Sequence, residues 1–168
     1  MTQKQKNQTR VERSFRLPDL AATQALAVRI GPLLRAGDVV ALYGGLGAGK
    51  TAFARALIQG LQAPLGMVEE VPSPTFSLVQ QYQIGALGVW HFDLYRLSGP
   101  EETHELGLEE AFAEGVSLIE WPQCVESRLP YNRLEIYLEI PADAGIEESR
   151  RQVRLAGYGD WSARMQNV

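Results

Sequence analysis

Gly44-Gly45-Leu46-Gly47-Ala48-Gly49-Lys50-Thr51 fits G-x-x-x-x-G-K-[ST] at every fixed position. No other stretch restricts the fold of this chain as strongly. Val39-Val40-Ala41-Leu42-Tyr43 before it reads as a short apolar strand, and Ala52 to Ile58 after it as a helix. Strand, glycine loop and helix are the context that makes the motif a phosphate loop rather than a turn that happens to contain Gly-Lys-Thr. Glycines let the backbone curl round an anion and aim successive N–H groups inward. The helix opening near Gly49 adds the positive end of its dipole. Lys50 is placed to reach the β- and γ-phosphates and the Thr51 hydroxyl to coordinate Mg²⁺. Gly45, Leu46, Gly47, Ala48, Gly49, Lys50, Thr51 and Ala52 are the expected nucleotide contacts.

With 168 residues, 45% of them hydrophobic, the chain reads as one globular domain with tails. The expected bounds are a tail over 1–13, the domain over 14–158 and a second tail over 159–168. A net charge of −4 argues against a broad nucleic-acid surface. A single cysteine, Cys124, excludes an internal disulfide and fits a reducing, cytoplasmic setting. No run of about 18 apolar residues suggests a membrane span, and the polar, basic N-terminus lacks the apolar segment of a secretory signal.

Along the chain, Phe15 to Leu17 reads as a brief edge strand, and Asp19 as the cap of a helix carrying Leu20, Ala27, Ile30 and Leu34, bent or ended at Gly31-Pro32. After a proline-rich loop, Phe76 to Tyr82 and Val89 to Tyr95 read as a hairpin. Pro100 opens a helix, and Leu108 to Ala113 forms a second. Val116 to Glu120 is an apolar run ending in an acid, the signature of a buried parallel strand that delivers a carboxylate to the sheet edge. Arg133 to Ile140 and Arg151 to Leu155 alternate and read as late antiparallel strands. The expected fold class is therefore α/β, a P-loop NTPase-like three-layer fold with a mixed, mainly parallel sheet.

A phosphate loop needs a carboxylate beside it, because Mg²⁺ takes oxygen ligands and keeps several waters. Two strand-end acids are candidates, Glu120 and Asp93, and Glu120 is preferred for the metal. Thr75, held behind two prolines, suits a group that senses a γ-phosphate. It reads equally well as an ordinary turn residue. His91 shares a strand face with Asp93, although a strand histidine is more often packed or exposed than catalytic. Arg96 either reaches a phosphate or pairs with Glu101 or Glu102. Trp121 is expected to pack under Pro122. Asn-Lys-x-Asp, which reads guanine, is absent, so ATP is the expected nucleotide.

Four stretches together resemble one family. They are the glycine loop, Ser73-Pro74-Thr75-Phe76-Ser77-Leu78-Val79, His91-Phe92-Asp93-Leu94-Tyr95-Arg96-Leu97, and Ile119-Glu120-Trp121-Pro122. They are similar to the bacterial ATPases of tRNA threonylcarbamoyladenosine biosynthesis, the TsaE (YjeE) family, over roughly residues 15 to 140. The resemblance implies ATP and Mg²⁺ as ligands, with Thr51 and Glu120 on the metal and Lys50, Thr75, Asp93 and Glu120 as the catalytic set. The segments around Thr75 and Asp93 would act as switches near the γ-phosphate. It also implies a TsaD–TsaB heterodimer as partner, with tRNA met only through that complex, and an ATPase that is weak alone. The chain departs from the family at Gly45, where Asp or Asn is frequent. One of Arg150, Arg151 and Arg154 could contact the nucleotide. The rival activity is a small-metabolite P-loop kinase, against which stands the lack of an arginine-rich lid between Pro100 and Glu114.

Overall fold

The computed structural model describes residues 10–146 and 148–168. Most of the expected N-terminal tail, residues 1–9, lies outside the described residues. The seven strands are β1 (Arg10–Leu17), β2 (Val39–Tyr43), β3 (Val79–Ile84), β4 (Leu87–Asp93), β5 (Val116–Glu120), β6 (Arg133–Glu139) and β7 (Arg151–Tyr158). They form one sheet in the order β1-β7-β6-β2-β5-β4-β3. The central strands β6, β2, β5 and β4 run parallel, and β3, β7 and β1 add antiparallel edges. The helices are α1 (Leu20–Ile30), α2 (Lys50–Gln62), α3 (Leu108–Glu114) and the short α4 (Trp161–Arg164).

The alternation of β2 explains the layering. Val40 and Leu42 face one side, with Leu26, Ala27 and Ile30 of α1, Phe53, Leu57 and Ile58 of α2, and Trp161 of α4. Val39 faces the other side, with Phe92, Ile119, Leu108, Ala111 and Val125. Both faces are covered, which is why β2 and β5 are apolar at every position except Ser117 and Glu120. α1 is capped by Asp19, whose Oδ1 accepts from the Ala22 amide at 2.8 Å, and the helix ends where Gly31-Pro32 begins a 3₁₀ turn. This leaves Leu20, expected on the buried stripe, exposed, and Thr23 and Leu26 buried in its place.

Three expectations change. β6 pairs parallel with β2 through Val39↔Arg133 to Tyr43↔Tyr137, and only its β7 side is antiparallel. Alternation reports faces and carries no direction. β1 starts at Arg10, inside the expected tail, because eight residues pair with β7 from Arg10↔Tyr158 to Leu17↔Arg151. The expected C-terminal tail is packed: Trp161 and Met165 are buried against the core. Arg164 makes a two-pronged ion pair with buried Asp38, at 2.7 Å on each oxygen. Gly157 makes this packing possible, since a Cβ there would lie 2.4 Å from Met165 Sδ.

Parallel order fixes where the site lies. β2, β5 and β4 point the same way, so Tyr43, Glu120 and Asp93 end at one sheet edge, with Leu42 and Asp93 in register with Glu120. Crevices outside the carboxyl ends of parallel strands are where α/β sheets bind ligands.

Candidate phosphate-binding site

The loop leaves β2 at Gly44, with φ +152°, where a Cβ would meet the Leu138 carbonyl oxygen at 2.6 Å. Only glycine fits. Gly47 (φ +73°) and Gly49 (φ +104°) complete the curl, and α2 starts at Lys50. The helix's first internal bond runs from the Phe53 amide to the Gly49 carbonyl at 2.9 Å. The Lys50, Thr51 and Ala52 amides precede it and are the orphan donors of the helix end, at the positive pole of a 13-residue helix.

Lys50 is nearly buried. Its ammonium donates to the Gly44 and Gly45 carbonyls at 2.7 and 2.8 Å, and lies 4.0 Å from the centre of the Trp121 ring. Burial pulls its pKa below the ordinary lysine value, and the charges of Glu120 and Asp93 oppose that shift. Glu120, at the end of β5, is buried with both oxygens engaged. Oε2 accepts from the Thr51 hydroxyl at 2.8 Å, and Oε1 lies 2.7 Å from His91 Nε2. Asp93, at the end of β4, accepts from the Thr75 hydroxyl at 2.8 Å and from the Tyr95 amide at 3.0 Å. The single Thr75 proton goes to Asp93, so the Ser73 hydroxyl donates in its own 2.8 Å contact with Thr75.

These groups line one cleft of about 260 Å³ together with Leu46, Gly47, Gly49, Ala52, Tyr95 and Trp121. The expected contacts Gly45 and Ala48 do not line it: Gly45 turns a carbonyl to Lys50, and Ala48 is buried beneath the loop. Of the paired readings, Thr75 is in the cleft. Arg96 makes no ion pair with Glu101 or Glu102 among the described residues and stands 5.2 Å over the exposed Phe76 ring, outside the lining of the cleft. Trp121, with φ +55°, caps Lys50 and tilts against Tyr95 at 4.8 Å. A non-glycine residue held in this region signals backbone strain retained by its surroundings. Trp90 lies apart, against the Phe92 side of the core.

Two residues gain a place that the sequence did not give them. His91 is wholly buried and bonded to Glu120. Arg151, on β7, donates from Nε to the Ala48 carbonyl at 2.9 Å and from its other end to the Gly47 carbonyl at 3.2 Å. It braces the outside of the loop from 103 residues away. Arg150 and Arg154 turn to Glu148 and Glu12 instead. The His91–Glu120 pair required the β4/β5 register, and Arg151 required the strand order; neither is a local signal.

Chemically, the site offers orphan amides and a cation for a polyphosphate, and a hydroxyl and a carboxylate 2.8 Å apart for a hard cation. No group of three or more His, Cys, Asp or Glu that could hold a metal occurs among the described residues.

The comparisons agree with this architecture. Residues 17–152 match the family model described as threonylcarbamoyl adenosine biosynthesis protein TsaE. A Bacillus subtilis tRNA threonylcarbamoyladenosine biosynthesis protein TsaE is 39% identical over 122 residues, 72% of this chain and 73% of that one. The Treponema pallidum protein of the same name is 42% identical over 119 residues, covering 70% and 84%. The crystal structure of Bacillus subtilis YdiB superposes with a TM-score of 0.74 at 30% identity, over 94% of this chain and 93% of that one. The chain is a member of the TsaE family, with the P-loop α/β fold that its glycine loop and sheet order display.

Proposed function

We propose that this chain is the ATP-binding and ATP-hydrolysing subunit for threonylcarbamoylation of adenosine 37 in ANN-reading tRNAs, a nucleotide switch on the TsaD–TsaB complex. The observation that carries it is the convergence of Lys50, Thr51, Thr75, Asp93 and Glu120 in one cleft at a helix N-terminus. The names of the relatives, which place them in tRNA threonylcarbamoyladenosine biosynthesis, support the pathway.

The Thr51–Glu120 oxygen pair fits Mg²⁺, with the threonine hydroxyl as a ligand and Glu120 on it or on one of its waters. Bound there, Mg²⁺ would neutralise charge on the β- and γ-phosphate oxygens. The remaining work falls to the chain. The loop amides and Lys50 hold phosphate charge from preorganised positions, which need no rearrangement when the charge arrives. Asp93, fixed by Thr75 and the Tyr95 amide, orients the attacking water. Ser73 and Thr75 sit on a loop whose Leu78 has φ +68° and whose Phe76 is 84% exposed. Such a loop can change order when a γ-phosphate arrives and present that change to a partner. The net charge of −4 supports a protein complex rather than tRNA as the direct contact. The segment Pro100 to Glu114 contains no Lys or Arg, which disfavours a kinase lid.

Calorimetric titration of the full chain with ADP, with and without Mg²⁺, tests this reading. Wild type should bind ADP and gain affinity from Mg²⁺. Thr51→Val should bind ADP without that gain. Failure of wild type to bind ADP or ATP would overturn it.

A further inference from the structure

We propose that His91 is the positioning residue for Glu120: its imidazole pins the carboxylate so that Glu120 and the Thr51 hydroxyl present a fixed oxygen pair to a divalent cation. The inference rests on the reading above that these two residues serve a cation.

His91 is 0% exposed, on a strand face of β4 between apolar Val89 and the strand-end acid Asp93. A leucine or phenylalanine would fill that space without burying polar atoms. His91 Nε2 makes its polar contact with Glu120 Oε1 at 2.7 Å, and Nδ1 has no partner among the described residues. Burying a ring nitrogen without a partner is unfavourable. Packing therefore does not account for a histidine here, whereas the bond to Glu120 does. Since a carboxylate only accepts, Nε2 carries the proton and donates.

The geometry shows what the bond achieves. His91 is in register with Leu118, two residues before Glu120, so imidazole and carboxylate meet diagonally on one face of adjacent parallel strands. A glutamate side chain has several rotatable bonds and gives up rotamer freedom when it is fixed. Here the imidazole fixes it on one oxygen and Thr51 on the other. Cation binding then needs no further ordering of the carboxylate. Partners that orient metal-ligating groups typically contribute 10–100-fold in metal affinity.

The test is Mn²⁺ binding to the full chain in the presence of ADP, followed by electron paramagnetic resonance, beside metal-free ADP affinity and thermal stability. His91→Leu removes the donor. His91→Asn keeps a polar amide too short to reach Glu120. His91→Gln places an amide N–H near the position of Nε2. His91→Leu and His91→Asn should weaken Mn²⁺ about 10–100-fold and leave metal-free ADP affinity unchanged, and His91→Gln should recover most of the loss. Should His91→Leu fail to fold, the Asn and Gln pair decides alone. Mn²⁺ affinity unchanged in His91→Asn, or lost equally in His91→Gln, overturns the inference. Wild type that binds ADP but no Mn²⁺ would overturn the cation reading of Thr51 and Glu120, and the inference with it.

Discussion

Two adjacent glycines of the loop should respond oppositely to the same substitution. At Gly44, alanine would hold φ near +152°, a region essentially confined to glycine, and place its Cβ 2.6 Å from the Leu138 carbonyl oxygen and 3.0 Å from the Ala48 Cβ. The backbone term is about 1–3 kcal/mol. The overlap falls on the main chain of β6, which pairs on both sides and cannot swing away, adding about 1–3 kcal/mol. Gly44→Ala should therefore cost roughly 2–6 kcal/mol of a total near 5–15. At Gly45, φ is not positive and nothing lies within 4 Å of a built Cβ. Gly45→Ala or Gly45→Asp should stay within about 0.5 kcal/mol. Urea unfolding at equal m measures both, and with m near 2 kcal/mol/M the Gly44→Ala midpoint should fall by about 1–3 M. Gly44→Ala within 0.5 kcal/mol of wild type, or Gly45→Ala equally destabilised, would refute the claim that the loop is seated on β6 through Gly44.

Lys50→Ala and Glu120→Ala should each abolish ATP hydrolysis measured by phosphate release, while circular dichroism stays that of wild type; retained turnover in both would void the site. Arg164→Met should destabilise the fold by about 3–5 kcal/mol in urea, because Asp38 is left buried and charged with only the Arg35 amide at 2.7 Å; a loss under about 1 kcal/mol would mean that the C-terminal helix is dispensable. Tyr137 has its pKa raised from 10.0 to about 12, first by burial and then by its hydrogen bond to Glu135. The folded state keeps this proton longer than the unfolded chain, so the associated stability is intact below pH 10 and lost as pH rises towards 12. Tyr137→Phe should flatten the fall in stability over that window, and an unchanged slope would contradict the assignment.

The sequence carried the parts of the site that are local. A glycine loop between an apolar strand and a helix, and apolar strands ending in Asp93 or Glu120, are each patterns contained within about twenty consecutive residues. Register and strand order decide the rest. Glu120 meets His91 because β4 and β5 run parallel in one particular alignment. Arg151 meets Ala48 because β7 lies beyond β6. The N-terminal part of β1, before the expected strand of Phe15 to Leu17, was hidden by Arg13 at a core-facing position between Val11 and Phe15. That guanidinium is used rather than buried idle: it lies over the Phe15 ring and donates to the Met165 carbonyl at 3.0 Å. At the C-terminus a short helix over Ser162 to Val168 is one reading of the sequence, but its packing was hidden, since Trp161 and Met165 gain their place from Gly157 on β7 and not from a repeating pattern.

ATP hydrolysis by the full chain, alone and with TsaD–TsaB, and with Lys50→Ala as control, tests the central claim most directly. The account predicts turnover that is weak alone, rises with the partner complex and vanishes in the variant. Fast turnover without partners that the complex leaves unchanged would contradict it, as would ATP that is bound but never hydrolysed in either setting.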